Sequence, residues 1–119
     1  MKINVLIAAM VLLWVILSIV PLGAEPRVKD YDQLKDLPEF KTYIGGVGTG
    51  FAWANAYLQL RGQKPLYCQP EKISLEWGNY LQVLDRKLKD DDYMKQVPLD
   101  RFLGLVLLRA LQETFPCDK

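Results

Sequence analysis

The sequence contains no histidine, and this absence excludes several kinds of chemistry. A Ser-His-Asp or Cys-His catalytic group, a histidine general base and the usual zinc sites all require an imidazole. Serine occurs only as Ser18 and Ser74, and neither has the histidine base that would activate a serine nucleophile. We therefore expect a binding or structural protein of one domain rather than an enzyme, with no cofactor and no metal ion.

The chain also lacks an excess of charge of either sign. Fifteen Lys and Arg residues are balanced by fourteen Asp and Glu residues, which gives a formal net charge of +1. A nucleic-acid-binding protein usually needs a basic face, so this balance argues against nucleic acid and against a polybasic membrane-surface protein. Half of the residues are apolar, which predicts a packed core rather than disorder.

The longest apolar run lies at the N-terminus. Lys2 precedes residues 5–20, which are apolar except for one serine, and a Pro-Leu-Gly-Ala segment ends at Ala24. This order is typical of a secretory signal. We expect residues 1–24 to be a signal peptide cleaved after Ala24, and residues 25–119 to form the mature exported domain. A retained membrane anchor is the alternative, and in both cases the domain faces an oxidising compartment.

Cysteine is scarce, since Cys68 and Cys117 are the only two. An even number of cysteines in an exported chain indicates a disulfide. The bridge would close a loop of about 50 residues and stabilise the fold by roughly 4 kcal/mol in the loop-entropy model. A redox-active pair is the alternative, which the absence of a C-x-x-C motif disfavours.

Periodicity in the mature part predicts four helices and no strand. A short polar helix at 26–38 is followed by an apolar pattern with spacings of three and four at 39–60. Ser74 is a typical N-cap for a third helix that ends near Leu88, and Pro98 is favoured in the first turn of the last helix. We therefore predict an all-α fold, a small four-helix bundle with one disulfide after an N-terminal signal segment.

The run at 39–60 is notable for its lack of charge. No charged residue occurs between Lys41 and Arg61, whereas a surface helix carries charges on its outer face. We therefore interpret this run as the central helix, covered on both sides. Its second face consists mostly of small residues, and we predict that Gly46 and Gly50 allow another helix to approach closely.

Two connections between the predicted helices combine a tyrosine with charged residues. Binding hot spots are enriched in aromatic and arginine side chains, so these connections are the candidate partner-binding sites. The candidates are Arg61, Lys64 and Tyr67 in the first connection, and Asp92, Tyr93 and Met94 in the second. The alternative for both tyrosines is that they cover the core. The aspartates at 90–92 do not have the alternate spacing of an EF-hand, and we interpret them as a solvated helix end and turn.

Two leucines of the last helix lie outside its main apolar face. Leu105 and Leu108 are three residues apart among polar residues, so they form a candidate dimer or packing patch. Contact within the chain, contact with a partner or second copy, and plain exposure are the three alternatives.

A series of short motifs resembles a known family. In order, the motifs are Tyr43-Ile44-Gly45-Gly46-Val47, Gly50 with Trp53, Tyr67-Cys68-Gln69-Pro70, Asn79-Tyr80-Leu81, Val97-Pro98, Ala110-Leu111 and Phe115-Pro116-Cys117. Over about residues 39–117, this order resembles the periplasmic immunity proteins of bacterial type VI secretion systems, the amidase-immunity (Rap/Tai) group.

The resemblance implies an exported all-helical domain, a Cys68–Cys117 disulfide and frequent homodimers. It also implies that the protein binds a cognate peptidoglycan-cleaving amidase effector in the periplasm and blocks its active site, without chemistry of its own. Two other functions remain as alternatives. One is a periplasmic acid-stress-type chaperone, and the other is a membrane-anchored accessory subunit, which requires the N-terminal helix to be retained.

Overall fold

The computed structural model describes the backbone of residues 2–18 and 25–118, and the side chains of residues 2–15 and 25–118. Helix α1 spans Lys2–Ser18, and its described side chains are exposed. Among the described residues, no helix is long and apolar enough to cross a membrane. The predicted cleavage site after Ala24 lies outside the described residues.

The rest of the described chain is also helical, which confirms the all-α prediction. A 3-10 turn at Val28–Asp30 is followed by α2 (Tyr31–Leu34), α3 (Pro38–Leu60), α4 (Trp77–Leu88), α5 (Asp91–Gln96) and α6 (Leu103–Thr114). Residues 2–18 and 25–118 therefore contain six α-helices and no strand. Five of these helices lie within residues 25–118, where four were predicted.

Helix α5 accounts for part of this difference, because the sequence analysis interpreted its first residues as a solvated turn. Asp90 precedes the helix, and its side chain accepts hydrogen bonds from the backbone N–H groups of Asp92 and Tyr93 at 3.0 and 3.2 Å. An aspartate at this position satisfies N–H groups that have no partner within the helix. The acidic stretch therefore begins a helix.

The predicted start of α4 is wrong. The helix begins at Trp77 and its N-cap residue is Glu76, whereas Ser74 lies upstream and is exposed. The backbone N–H of Glu76 donates to Oδ1 of Asn79 at 2.9 Å. The side chain that supports this helix start is therefore Asn79, in the first turn.

Helix α6 also begins later than Pro98, the predicted first-turn residue. The backbone N–H groups of Val28 and Lys29 donate to the carbonyl oxygens of Arg101 and Leu99, each at 2.9 Å. This pairing with the start of the domain holds the residues before α6 in a non-helical conformation. Leu99 lies in this non-helical segment and is exposed.

The core lies where α3, α4 and α6 pack together. Its members are apolar residues at helical spacing, as periodicity predicts. The largest fully buried side chains are Ile44, Tyr67, Leu84, Leu103, Val106, Leu107 and Leu111.

Close packing of α4 on α3 occurs at two glycines of α3. A Cβ atom at Gly48 would lie 2.4 Å from the ring of Tyr80, and one at Gly45 would lie 2.8 Å from the Cβ of Trp77. A Cβ at Gly46 or Gly50 would meet nothing within 4 Å. The prediction that Gly46 and Gly50 support helix contact is therefore wrong, and the face of α3 that carries them is exposed.

A disulfide joins the α3–α4 connection to the end of the chain. Cys68 and Cys117 are bonded, with Cα atoms 4.9 Å apart, which confirms the predicted pair. The backbone N–H of Cys68 also donates to the carbonyl oxygen of Phe115 at 2.8 Å. A disulfide is consistent with an oxidising, exported location.

Candidate partner-binding surfaces

The α3–α4 connection is held at its base by the side chain of Asn55. This residue of α3 is only 9% exposed. Its Nδ2 donates to the carbonyl oxygen of Tyr67 at 3.0 Å, and its Oδ1 accepts from the backbone N–H of Leu66 at 2.7 Å. From α6, Gln112 donates to the carbonyl oxygen of Leu66 at 3.2 Å. Backbone groups that the connection takes out of water are thus paired.

The tip of this connection is a cationic turn, formed by residues 61–64. Gly62 has a φ of +67°, a conformation that glycine adopts without strain. Arg61 Nη1 donates to the hydroxyl of Tyr57 at 3.1 Å, and its guanidinium lies over the same ring. Arg61 and Lys64 are exposed, and neither forms an ion pair within the described part of the chain.

Tyr67 is buried, which corrects the expectation of an exposed contact residue at this position. Only 2% of the residue is exposed, and its ring lies 6.4 Å from that of Phe115. Burial raises the pKa of Tyr67 to about 12. Its hydroxyl lies near that of Tyr80, which adds to the rise in pKa, but it forms no hydrogen bond of ordinary geometry among the described residues. Tyr67 therefore fills the core beneath the cationic turn.

The second candidate connection contains α5, and its three candidate residues differ in exposure. Asp92 is exposed and lies 3.4 Å from Lys95 Nζ. Tyr93 and Met94 are half-buried and pack against the core. Lys87 Nζ lies 4.2 Å from the centre of the Tyr93 ring, and burial raises the pKa of Tyr93. This connection presents Asp92 to solvent and leaves Tyr93 partly exposed.

An ion-pair network lies beside Tyr93 and joins α4 to α6. Glu113 accepts from Lys87 Nζ at 2.7 Å and from Arg109 Nε at 2.8 Å. The hydrogen bond from Lys87, followed by that from Arg109, holds the pKa of Glu113 below its usual value. The network positions α6 against α4 and leaves the Arg109 side chain largely exposed.

Leu105 and Leu108 have different environments, although the sequence grouped them in one patch. Leu105 is 54% exposed, whereas Leu108 is half-buried and packs against the core. Leu108 therefore makes contacts within the chain, which leaves Leu105 as a single exposed leucine.

The sequence analysis missed a larger exposed surface on α3. We call it the α3 face, and it consists of Thr42, Gly46, Thr49, Gly50, Trp53, Tyr57 and Leu60. Trp53, Tyr57 and Leu60 are 73, 58 and 87% exposed. The signal in the sequence was the lack of charge between Lys41 and Arg61, which we interpreted as burial on both sides.

Glu25 and Pro26 border an apolar groove of about 590 Å³. Its lining is almost entirely apolar and comes from residues before α3 and from the first turns of α3. The lining residues are Glu25, Pro26, Leu34, Leu37, Glu39, Phe40, Tyr43 and Val47. Tyr43 donates its hydroxyl to Glu25 Oε1 at 3.4 Å. Burial, reinforced by the charge of Glu25, raises the pKa of Tyr43 to about 12.

Comparison of the chain with protein-family models, with curated proteins and with solved structures finds no match. The class of protein is therefore defined by its own features. It has an all-α fold with one disulfide, and its surface carries a cationic turn and an exposed, uncharged helix face. A fold of this kind does not by itself define a function, so the function is inferred from these surfaces.

Proposed function

We propose that the protein is a periplasmic immunity protein, which binds a peptidoglycan-cleaving amidase effector and blocks its active site without chemistry of its own. In this proposal residues 1–24 direct export, and residues 25–119 form the inhibitory domain. The observation that carries the proposal is the cationic turn at 61–64. Its residues are exposed, and the buried residues Asn55 and Tyr67 lie at its base. The motif resemblance over residues 39–117 supports the same function.

The base of the turn is what makes it suited to inhibition. A loop that is ordered before binding loses less conformational entropy when it enters a cleft. Here Asn55 pairs with the backbone on both sides of the Leu66–Tyr67 peptide unit, and Tyr67 is buried directly below. The disulfide at Cys68 ties the following residue to the C-terminal end of the chain. The turn is therefore preorganised.

The charge of the turn suggests how it would bind. Lys64 is exposed without an ion-pair partner in the described chain, so it is available to an acidic group on an effector. Charged groups at the rim of an interface mainly raise the association rate and set its salt dependence. Asp92 and the partly exposed Tyr93 form a second candidate contact on the other connection.

The test has two steps: a search of the neighbouring genes for a cell-wall amidase, and an assay of whether the purified exported protein inhibits that amidase. We expect stoichiometric inhibition and co-purification of the two proteins. Lys64→Ala should weaken binding at least tenfold, mostly by slowing association, and the effect should shrink at high salt. The matched control is Lys72→Ala, a second exposed lysine of the same connection, which should bind like the wild type.

Two results would contradict the proposal. One is the absence of any cell-wall amidase among neighbouring gene products and co-purifying proteins. The other is full amidase activity at saturating amounts of the purified protein. If the protein instead prevents aggregation of unrelated proteins near pH 2–3, the acid-stress chaperone function would replace the immunity function.

A further inference from the structure

The apolar groove bordered by Glu25 and Pro26 is a surface that the proposed function does not use. Helix α3 contributes Phe40, Tyr43 and Val47 to its lining, at spacings of three and four residues, and further apolar residues come from the segment before α3. A volume of about 590 Å³ lies within the range of sites that hold largely apolar ligands. The groove is therefore large enough to bind a partner of its own.

The residues that line the groove are fixed by contacts with one another and with α6. The backbone N–H of Leu103 donates to the carbonyl oxygen of Pro26 at 2.9 Å. The ring of Tyr43 stacks on that of Phe40 with their centres 6.2 Å apart, and its hydroxyl donates to Glu25 at 3.4 Å. A site that is formed before binding loses less conformational entropy when a ligand enters. The groove is therefore preorganised.

The charge of the groove indicates the chemistry of its occupant. Glu25 and Glu39 belong to the lining, and among the described residues no lysine or arginine does. Both glutamates are exposed, and neither forms an ion pair within the residues described. Unpaired carboxylates beside an apolar surface complement a lysine or arginine that accompanies apolar side chains. The groove therefore fits a ligand that is both apolar and basic.

The all-α fold indicates the form of this ligand. Residues 2–18 and 25–118 contain no strand, so they offer no sheet edge to which an extended peptide could pair through its backbone. Recognition must then occur through side chains, as when an amphipathic helix places its apolar face in a groove. The α3 residues of the lining, from Phe40 to Val47, extend about 10 Å along the helix axis, or about two turns of such a ligand.

We propose that the apolar groove binds an amphipathic helix of a partner protein, with a lysine or arginine beside its apolar stripe that pairs with Glu39 or Glu25. Helix α3 has 23 residues and is about 34 Å long. The groove lies at its start, whereas the cationic turn follows its end, so the two surfaces are separate. The partner helix therefore leaves the cationic turn free, and this binding does not depend on the proposed function.

The first experiment selects ligands for the purified exported protein from a phage-displayed library of helical peptides, each about four turns long. We expect the enriched peptides to carry apolar residues at i, i+3, i+4 and i+7, with lysine or arginine beside this stripe. Binding of the most enriched peptide is then measured by fluorescence anisotropy. No enrichment, or enrichment of acidic peptides, would overturn the proposal.

The second experiment places the selected peptide in the groove. Leu37 lines the groove and is 44% exposed, and Leu37→Asn should weaken binding by about tenfold or more because apolar contact is lost. Leu37 is also the N-cap residue of α3, where asparagine is favoured, so the variant should keep the helix start. The matched control is Leu99→Asn, at an exposed leucine outside the groove, which should bind the peptide like the wild type.

The third experiment tests the charge of the groove. Glu39→Lys should weaken peptide binding by about tenfold at low salt, and the loss should shrink as salt is added. The control is Glu71→Lys, which changes the net charge equally at an exposed position outside the groove and should bind like the wild type.

Three results would overturn the proposal, whether or not the protein inhibits an amidase. One is unchanged peptide binding in both Leu37→Asn and Glu39→Lys. Another is self-association of the wild type that Leu37→Asn abolishes, because the groove would then hold a second copy of this chain. The third is sedimentation with vesicles of phosphatidylethanolamine and phosphatidylglycerol that Leu37→Asn abolishes, because the groove would then contact a membrane.

Discussion

Gly48 sets how closely α4 approaches α3, because the ring of Tyr80 occupies the place of a Cβ atom. Gly48→Ala should destabilise the fold by about 1–3 kcal/mol through overpacking. Gly50→Ala is the control, since its Cβ would meet nothing within 4 Å and alanine favours a helix by roughly 0.5–1 kcal/mol over glycine. Urea unfolding measures both changes, and equal effects would show that the contact with Tyr80 is not tight.

Tyr67 carries a buried hydroxyl that lies near that of Tyr80 but forms no hydrogen bond of ordinary geometry among the described residues. An unpaired buried polar group costs about 1–3 kcal/mol, so Tyr67→Phe should leave stability unchanged or raise it. A clear loss of stability on thermal or urea unfolding would show that the hydroxyl makes a stabilising hydrogen bond.

The same variant should change the response to alkaline pH. The pKa of Tyr67 is raised from 10.0 to about 12 in the folded protein. The fold thus favours the neutral phenol, and this contribution is complete below pH 10 and is lost as the pH rises toward 12. Tyr67→Phe should therefore lose less stability than the wild type between pH 10 and 12, and an identical loss would contradict the assignment.

At the scale of secondary structure, α3 both contributes to the core and holds the following connection. Asn55→Ala should leave the N–H of Leu66 and the carbonyl of Tyr67 without their present partner and cost about 1–3 kcal/mol. Amide exchange at Leu66 should accelerate, because its N–H loses a buried acceptor. Gln59→Ala, an exposed position one turn later, should change neither quantity. Unchanged exchange at Leu66 in Asn55→Ala would show that the turn has another support.

The helix boundaries show where the conformational preferences of single residues are no longer sufficient to predict the structure. The periodicity at 39–60 predicted α3 to within one residue, since a long run of apolar spacings outweighs single residues. The starts of α4 and α6 depended on single residues, Ser74 and Pro98, and both were misplaced. Before α6, the competing interaction is the backbone pairing of Leu99 and Arg101 with Lys29 and Val28. These partners lie about 70 positions apart in the sequence, so no local preference of the residues near Pro98 indicates the pairing.

At the scale of the whole molecule, the disulfide connects elements that are 49 positions apart. Replacing both cysteines by alanine should destabilise the protein by about 2–5 kcal/mol, because the unfolded chain regains the freedom of a long loop. Thermal unfolding measures the change, and thiol labelling of the denatured, unreduced wild type should find no free thiol. Full labelling, or an unchanged melting temperature in the double variant, would contradict a structural bridge.

The sequence alone determined the all-α class, the extent of α3 and the pairing of Cys68 with Cys117. Each follows from a local or countable property, namely apolar spacing within one segment or the presence of only two cysteines. It also placed the cationic residues Arg61 and Lys64 in a connection, because Gly62 and Pro65 end the preceding pattern.

Only the tertiary structure decided which surfaces are buried. The uncharged face of α3 was interpreted as covered because burial and an exposed contact surface both select against charge, so composition cannot separate them. Packing of α4 against Gly45 and Gly48 covers one side of the helix and leaves Trp53 on the open side. The same long-range packing buries Tyr67, since the depth of a side chain depends on neighbours that are distant in sequence.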